Sequence, residues 1–250
     1  MDGSLPSSDA FARELAPQPD EVSKKLRGGV WERSELARGT YAAVLGLGRW
    51  LSERGVTPNS LTYAALSLAL ASGVAAAFGH YLLAAACLIV SGAFDLLDGV
   101  VARAAHLSSR FGALLDSTVD RLADALPLMG LVVACAQAPL AAGVLVVAMI
   151  SGFAVSYVRA RAEGLGIRLP PLFMRRAERV VLLLLALVVG SINFPGFPSE
   201  VAMLSIIGAM GLLSLVAAVW ALRSAYVVLA LDDGAPAVVT APAAPTPSRP

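Results

Sequence analysis

Hydrophobic positions in this chain fall into long, nearly unbroken runs separated by short polar breaks. The runs lie near 58–79, 81–104, 112–136, 139–163, 177–194 and 200–224. Each approaches or exceeds the roughly 20 apolar residues that a helix needs to cross the hydrocarbon core of a bilayer. The pattern predicts an all-α integral membrane protein of about six transmembrane helices, with both termini on one side. Thr57-Pro58-Asn59 marks the first start, because proline pre-sets φ in the first helical turn.

Outside the runs the pattern changes. From Val30 to Arg54 apolar residues recur at helical intervals (Leu36, Tyr41, Val44, Leu45, Leu47, Leu51), but Arg33, Arg38, Arg49 and Arg54 interrupt them. That mixture predicts an amphipathic helix over 30–56, lying in the membrane interface or packed on the bundle. Residues 1–29 are polar and carry Pro6, Pro17 and Pro19; they lack the positive leader and apolar stretch of a signal peptide. Residues 231–250, rich in Pro and Ala, are expected to be a disordered tail after a membrane domain spanning 57–230.

Composition agrees. Of 250 residues, 57% are hydrophobic and 15% charged, against about 25% charged in soluble domains, and the mean hydropathy is +0.73. A net charge of +1 gives no field that would draw the chain to nucleic acid. Cys87 and Cys135 stand alone in apolar runs and read as packing residues. The turns around Gly79-His80, Ala136-Pro139 and Asn193-Ser199 carry no Lys or Arg, whereas Arg103, Arg110, Arg159, Arg161, Arg168, Arg175, Arg176, Arg179 and Arg223 gather at the opposite ends. The positive-inside rule makes those ends cytoplasmic and the protein a multi-pass protein of the inner (cytoplasmic) membrane.

One stretch breaks the apolar rule. Asp95, Asp98, Asp116 and Asp120 lie within or beside spanning runs, where an unpaired charge costs about 2.5–3.5 kcal/mol or more. Spacings of three and four place each pair on one helix face, and two facing pairs make a cage of hard oxygen ligands for a divalent cation. Between them lies a polar hairpin with Arg103, His106, Ser108, Ser109 and Arg110, flanked by Gly99 and Gly112. A ligand carrying phosphate suits metal, arginine and bare backbone together. His106 reads as a polar hairpin residue. Asp124, one turn beyond Asp120, reads as the partner of an arginine.

Asp95-x-x-Asp98-Gly99-x-x-Ala102-Arg103, eight residues, then Gly112-x-x-x-Asp116-x-x-x-Asp120 resembles the motif of the CDP-alcohol phosphotransferase (CDP-alcohol phosphatidyltransferase) family at every defined position. The six-span layout is similar too, as is the segment Thr57 to Thr62. The resemblance implies an enzyme that transfers a substituted phosphate from a CDP-linked donor to an alcohol and releases CMP, with Mg²⁺ or Mn²⁺, in two-ion form, as cofactor. It further implies that Asp95, Asp98, Asp116 and Asp120 hold the metal, with Asp120 as proton acceptor from the alcohol. Asn59, Ser60, Leu61, Thr62, Gly99, Ala102, Arg103, Ser109 and Gly112 would bind the CDP part of the donor.

A second cluster bears on the acceptor. Ser156 to Glu163 closes the fourth run with Arg159 and Arg161, and Arg175 to Arg179 opens the fifth. These segments are similar to those of the phosphatidylinositol phosphate synthases, in which a lysine usually stands where this chain has Arg159. The resemblance implies CDP-diacylglycerol as donor, inositol 1-phosphate or another polyol phosphate as acceptor, and Arg159, Arg161, Arg176 and Arg179 as the acceptor-phosphate site. Arg168 and Arg175 read as orientation charges in contact with membrane lipids. The resemblance also implies a homodimer, and Gly208 and Gly211 offer a small-residue helix contact. Competing expectations are a glycerol 3-phosphate-using synthase, an archaetidylinositol-type synthase and, outside the enzymes, a cation transporter with intramembrane carboxylates.

Overall fold

The computed structural model describes residues 46–167, 169–192, 195–196 and 198–233. The expectations for 1–29, for 30–45 and for the tail beyond 233 lie outside them. The described residues are all-helical. A helical stretch over 46–53 precedes six helices: α1 (Pro58–Ala77), α2 (Tyr81–Ala104), α3 (Arg110–Ala134), α4 (Pro139–Gly164), α5 (Arg176–Gly190) and α6 (Ser199–Asp233). Four of them, α1, α2, α4 and α6, are long and apolar enough to cross a membrane. The other two depart from the apolar pattern. Helix α3 has 25 residues and carries the second carboxylate pair, and α5 has only 15, about 22 Å at 1.5 Å per residue.

Two boundaries differ from the apolar runs by more than two residues. Helix α5 stops at Gly190, where the Ser191 hydroxyl donates to the Val188 carbonyl at 2.6 Å and closes the last turn. Helix α6 continues past 224 to Asp233, 35 residues in all. Hydropathy ends where the bilayer does, but helical hydrogen bonding need not.

The bundle is built as two halves. Helices α2 and α3 pack on α1, while α4 and α5 pack on α6; the halves meet along α3 with α4 and α2 with α5. The first half is tight because α1 buries small residues, Ala65, Ala69, Ser72, Gly73 and Ala76, on one face. Ser72 Oγ donates to the Ala84 carbonyl and Ser91 Oγ to the Ala65 carbonyl, both at 2.7 Å, tying α1 to α2. Small residues and hydroxyls are what allow apolar helices to approach closely in lipid.

Helix α3 crosses α1 backbone to backbone. A Cβ on Gly130 would collide with the Gly73 carbonyl oxygen, and one on Gly73 would stand 2.5 Å from the Leu126 carbonyl oxygen. No rotamer change can relieve a clash with main chain. Gly130→Ala is therefore expected to cost about 3 kcal/mol, at the upper end for overpacking, and to lower the thermal unfolding midpoint in detergent; an unchanged midpoint would contradict this crossing.

The glycines of the last helix are used within the chain. A Cβ on Gly211 would lie 2.8 Å from the Ala148 Cα, and one on Gly208 would lie 3.4 Å from Val144 Cγ1. Both serve the α4–α6 crossing, so they give no support to a contact between subunits. Cys87 and Cys135 are free and half-buried, in keeping with packing roles.

Candidate active site at the seam between the halves

Helix ends build the site. Thr57 caps α1, its side chain accepting from the Ser60 N–H at 3.2 Å, and Ser109 caps α3, accepting from the Gly112 N–H at 2.9 Å. Helix α2 ends between them in a Schellman arrangement, with Leu107 N–H to the Ala102 carbonyl at 2.9 Å and His106 N–H to the Arg103 carbonyl at 3.4 Å. His106 takes the left-handed conformation, φ 54°, in the place where glycine usually stands; the equivalent position after α1 is Gly79, φ 76°.

The three ends enclose a cavity lined by Asn59, Thr62, Gly99, Ala102, Arg103, Ser109 and Gly112, with Asp98 and Asp116 in its wall. Two helix N-termini face it, an arrangement that favours phosphate. Gly112 leaves room that a side chain would fill, since its Cβ would meet Ser109 Oγ at 3.0 Å and Asn59 Oδ1 at 3.5 Å. Two of the expected donor contacts are elsewhere. Ser60 turns its hydroxyl to the Thr57 carbonyl at 2.7 Å, and Leu61 is buried and does not line the cavity. Consecutive helical residues point about 100° apart, so Asn59 to Thr62 cannot all face one ligand.

Behind the cavity stand the carboxylates. Asp95, Asp98 and Asp116 each offer an oxygen, and the three oxygens lie within 4.8 Å of one another. Such crowding of like charge suits a divalent cation, whose oxygen ligands sit at about 2.0–2.6 Å from the ion. Asp98 is buried and fixed by Thr62, whose Oγ1 donates to Asp98 Oδ2 at 2.5 Å. That bond orients a ligand from behind. Thr62 therefore touches the carboxylate as well as the cavity.

Asp120 lies on the other side of the cluster. Arg176 Nη1 is 2.7 Å from Asp95 Oδ2 and 2.8 Å from Asp120 Oδ1, and its Nε is 3.4 Å from Asp124 Oδ1. The contact to Asp120 is ionic without hydrogen-bond alignment: buried Oδ1 has no hydrogen-bond partner among the described residues. Asp124 also receives Arg179 Nη2 at 2.7 Å. The expected pairing of Asp124 is thus with two arginines at once.

Arg179 is 6% exposed and held on every side. Nη1 donates to the Met174 carbonyl at 2.9 Å and Nη2 lies 3.2 Å from Ser156 Oγ. Met174 takes a left-handed φ of 55° beside it, a strained setting of the kind found at functional sites. Gly152 lets the side chain pass across α4, since a Cβ there would stand 3.2 Å from Arg179 Nε. The start of α5 is fixed by Glu178, whose carboxylate accepts from the Arg175 N–H at 2.9 Å.

A second cavity opens on this side, lined by Asp120, Asp124, Arg159, Arg176 and Arg179, together with Arg121 and Arg175. Arg161 does not line it and is exposed. Two residues apart on a helix is about 200° of rotation, so Arg159 and Arg161 cannot share a face. Gly152, Arg121 and Arg175 were not expected to contribute. Gly152 is a single residue in a long helix with no motif around it, Arg121 follows Asp120 without being one of the motif's defined positions, and Arg175 looks like any orientation charge.

The site is therefore a carboxylate cluster at the seam, with a helix-end cavity on one side and an arginine cavity on the other. The family model described as CDP-alcohol phosphatidyltransferase matches residues 55–220, which include both cavities. An archaetidylinositol phosphate synthase of Methanothermobacter thermautotrophicus is 37% identical over 156 residues, covering 62% of this chain and 77% of that one. The crystal structure of the Mycobacterium tuberculosis phosphatidylinositol phosphate synthase with CDP-DAG bound superposes with a TM-score of 0.67 at 27% identity, covering 73% of this chain and 93% of that one. The same enzyme in complex with manganese and citrate gives 0.67 at 27%, covering 73% and 88%. The manganese complex of that relative and the three aspartates here agree on divalent metal binding. With its apolar helices, its motif and its matched domain, this multi-pass membrane protein is a transferase that belongs to the CDP-alcohol phosphatidyltransferase family.

Proposed function

We propose that the protein transfers a phosphatidyl group from CDP-diacylglycerol to the hydroxyl of a phosphorylated alcohol, inositol 1-phosphate first among them, and releases CMP. The observation that carries this reading is the position of the Asp95–Asp98–Asp116 cluster, with a cavity suited to phosphate on one side and a cavity rich in arginine on the other. The names of the relatives support the acceptor. Archaetidylinositol phosphate synthase and phosphatidylinositol phosphate synthase differ in the lipid they name and share the inositol phosphate. The shared element is the polar acceptor, which favours inositol 1-phosphate over glycerol 3-phosphate.

In this reading Asn59, Thr62, Gly99, Ala102, Arg103, Ser109 and Gly112 receive the CDP part of the donor. Asp95, Asp98 and Asp116 hold Mg²⁺ or Mn²⁺, with Asp120 beside them in a two-ion site. When bound, the cations neutralise charge on the pyrophosphate. Asp120 accepts the proton of the acceptor hydroxyl as its oxygen forms the new ester bond to the phosphorus carrying the lipid. The pyrophosphate P–O bond breaks, and CMP leaves with the bonding pair. Asp120 Oδ1 is buried and meets the Arg176 guanidinium without an aligned hydrogen bond, which leaves its carboxylate with acceptor capacity for that proton. Arg159, Arg176 and Arg179 shape the acceptor cavity. Residues 57–230 form the catalytic unit, which faces the cytoplasm from the inner membrane, and two copies associate through their lipid-facing helices.

The experiment is an acceptor panel on the purified chain with CDP-diacylglycerol and Mn²⁺, read as CMP release. Inositol 1-phosphate should support turnover well above free inositol, glycerol 3-phosphate and serine. Faster release with free inositol or serine would refute the assignment of a phosphorylated acceptor.

A further inference from the structure

Asp120 stands apart from the cation cluster. The three oxygens that lie within 4.8 Å of one another belong to Asp95 and Asp98 on α2 and Asp116 on α3. What joins Asp120 to them is Arg176, the first residue of α5, whose Nη1 is 2.7 Å from Asp95 Oδ2 and 2.8 Å from Asp120 Oδ1. One nitrogen is thus shared almost evenly between a carboxylate of the cluster and the carboxylate beside it. Asp95 has two oxygens, so it can serve the cluster with one while Arg176 holds the other.

The two contacts differ in kind. Toward Asp95 the nitrogen donates a hydrogen bond, whereas toward Asp120 no N–H is aligned and buried Oδ1 has no hydrogen-bond partner among the described residues. Guanidinium donors lie in a fixed plane and serve an acceptor only along their N–H directions, but a metal ion binds an oxygen lone pair without an aligned proton. The charge of Asp120 is therefore balanced while its bonding is not. A divalent cation that bridged Asp95 and Asp120 would compete with Arg176 for the same oxygens, because a guanidinium beside it would repel it at contact range. The arginine has another partner at hand. Arg179 takes Asp124 Oδ2 at 2.7 Å and leaves Oδ1 to Arg176 Nε at 3.4 Å, so giving up Asp95 and Asp120 does not strand a half-buried charge.

We propose that Arg176 is a positioning residue that holds Asp95 and Asp120 together in the place of a second cation and yields their oxygens to it. Cation loading is then ordered: the Asp95–Asp98–Asp116 cluster fills first, and Asp120 is reached only in competition with Arg176. This inference rests on the two-ion reading given above.

The test strips the full chain with chelator and titrates it with Mn²⁺, reading bound ion from the loss of the paramagnetic resonance signal of free Mn²⁺. The wild type should take up two ions, the second more weakly than the first. In Arg176→Gln the second should bind about tenfold more tightly, the gain expected when a charge-assisted hydrogen bond no longer competes. Arg176→Lys, which keeps the charge without the planar fork, should fall between the two. The unfolding midpoint in detergent gives a second reading that tolerates a destabilised variant. Arg176→Gln should start lower in chelator, because Asp95 and Asp120 lose their counter-charge, and should gain more from a given Mn²⁺ concentration than the wild type does. A second step that is unchanged or weaker in Arg176→Gln, with no larger rise in midpoint, overturns this proposal alone, since Arg176 would then build the cation site rather than compete for it. Uptake of a single ion by wild type and variant alike overturns it together with the two-ion reading beneath it.

Discussion

Asp116→Asn is expected to reduce metal-dependent CMP release by about a thousandfold, which corresponds to the several kcal/mol of transition-state stabilisation that a bound cation supplies. The substitution keeps shape and removes one charge. Asp116 is the member of the cluster that α3 contributes, so without it the two carboxylates of α2 are left to hold the ion from one side. The fold should tolerate the change. Three carboxylate oxygens within 4.8 Å repel one another, so losing one charge should leave the unfolding midpoint in chelator unchanged or raised. Loss of Mn²⁺ binding together with an intact midpoint is the expected pair of results. A variant that binds Mn²⁺ normally would remove Asp116 from the cation site.

Arg179→Met is expected to act in the opposite sense, on stability more than on metal. Its guanidinium is buried, and its removal leaves the Asp124 carboxylate with only the long Arg176 Nε contact at 3.4 Å, and the Met174 carbonyl and Ser156 hydroxyl without that donor. Breaking one side of a buried pair costs about 3–5 kcal/mol. The loss should appear as a lowered unfolding midpoint in detergent. Adding Asp124→Leu should recover part of it, since replacing both partners with apolar groups removes the stranded charge. Recovery should stay partial, because Arg176 also loses a partner. A cost below about 1 kcal/mol would mean that water reaches Arg179 and that the pair is a surface one.

Much of this architecture is readable in the apolar runs. The α2 bounds coincide with the run at 81–104, and the start of α4 at Pro139 with its own run, because lipid imposes one length rule on every span. Where the rule relaxes, reading fails: α6 runs nine residues beyond its run, from 224 to 233, and α5 ends early at Gly190. The carboxylates are legible for a different reason. Charge in an apolar run demands a partner, and spacing shows which charges share a face.

The donor segment shows the limit of a motif read as a string. Asn59 and Thr62 line the cavity whereas Ser60 and Leu61 do not, a difference that helical rotation makes and consecutive letters hide. The arginines show another limit. Spacing along the chain reveals that Arg176 and Arg179 lie three apart, but not that Asp95, Asp120 and Asp124 are waiting across the seam to take their charge. That pairing joins residues 81 positions apart, Asp95 and Arg176, and no local pattern carries it. Gly152 is invisible for the same reason, since its meaning depends on the side chain that crosses it.

The central claim is that the Asp95–Asp98–Asp116 cluster binds a divalent cation on which CMP release depends. It is tested most directly by stripping the purified chain with chelator, restoring Mn²⁺ stepwise, and following bound Mn²⁺ and CMP release from CDP-diacylglycerol and inositol 1-phosphate in the same samples. The account predicts no release after chelation and recovery in proportion to bound Mn²⁺, with both signals lost in Asp98→Asn. Release that persists in chelator, or Mn²⁺ binding that survives in Asp98→Asn, would contradict it.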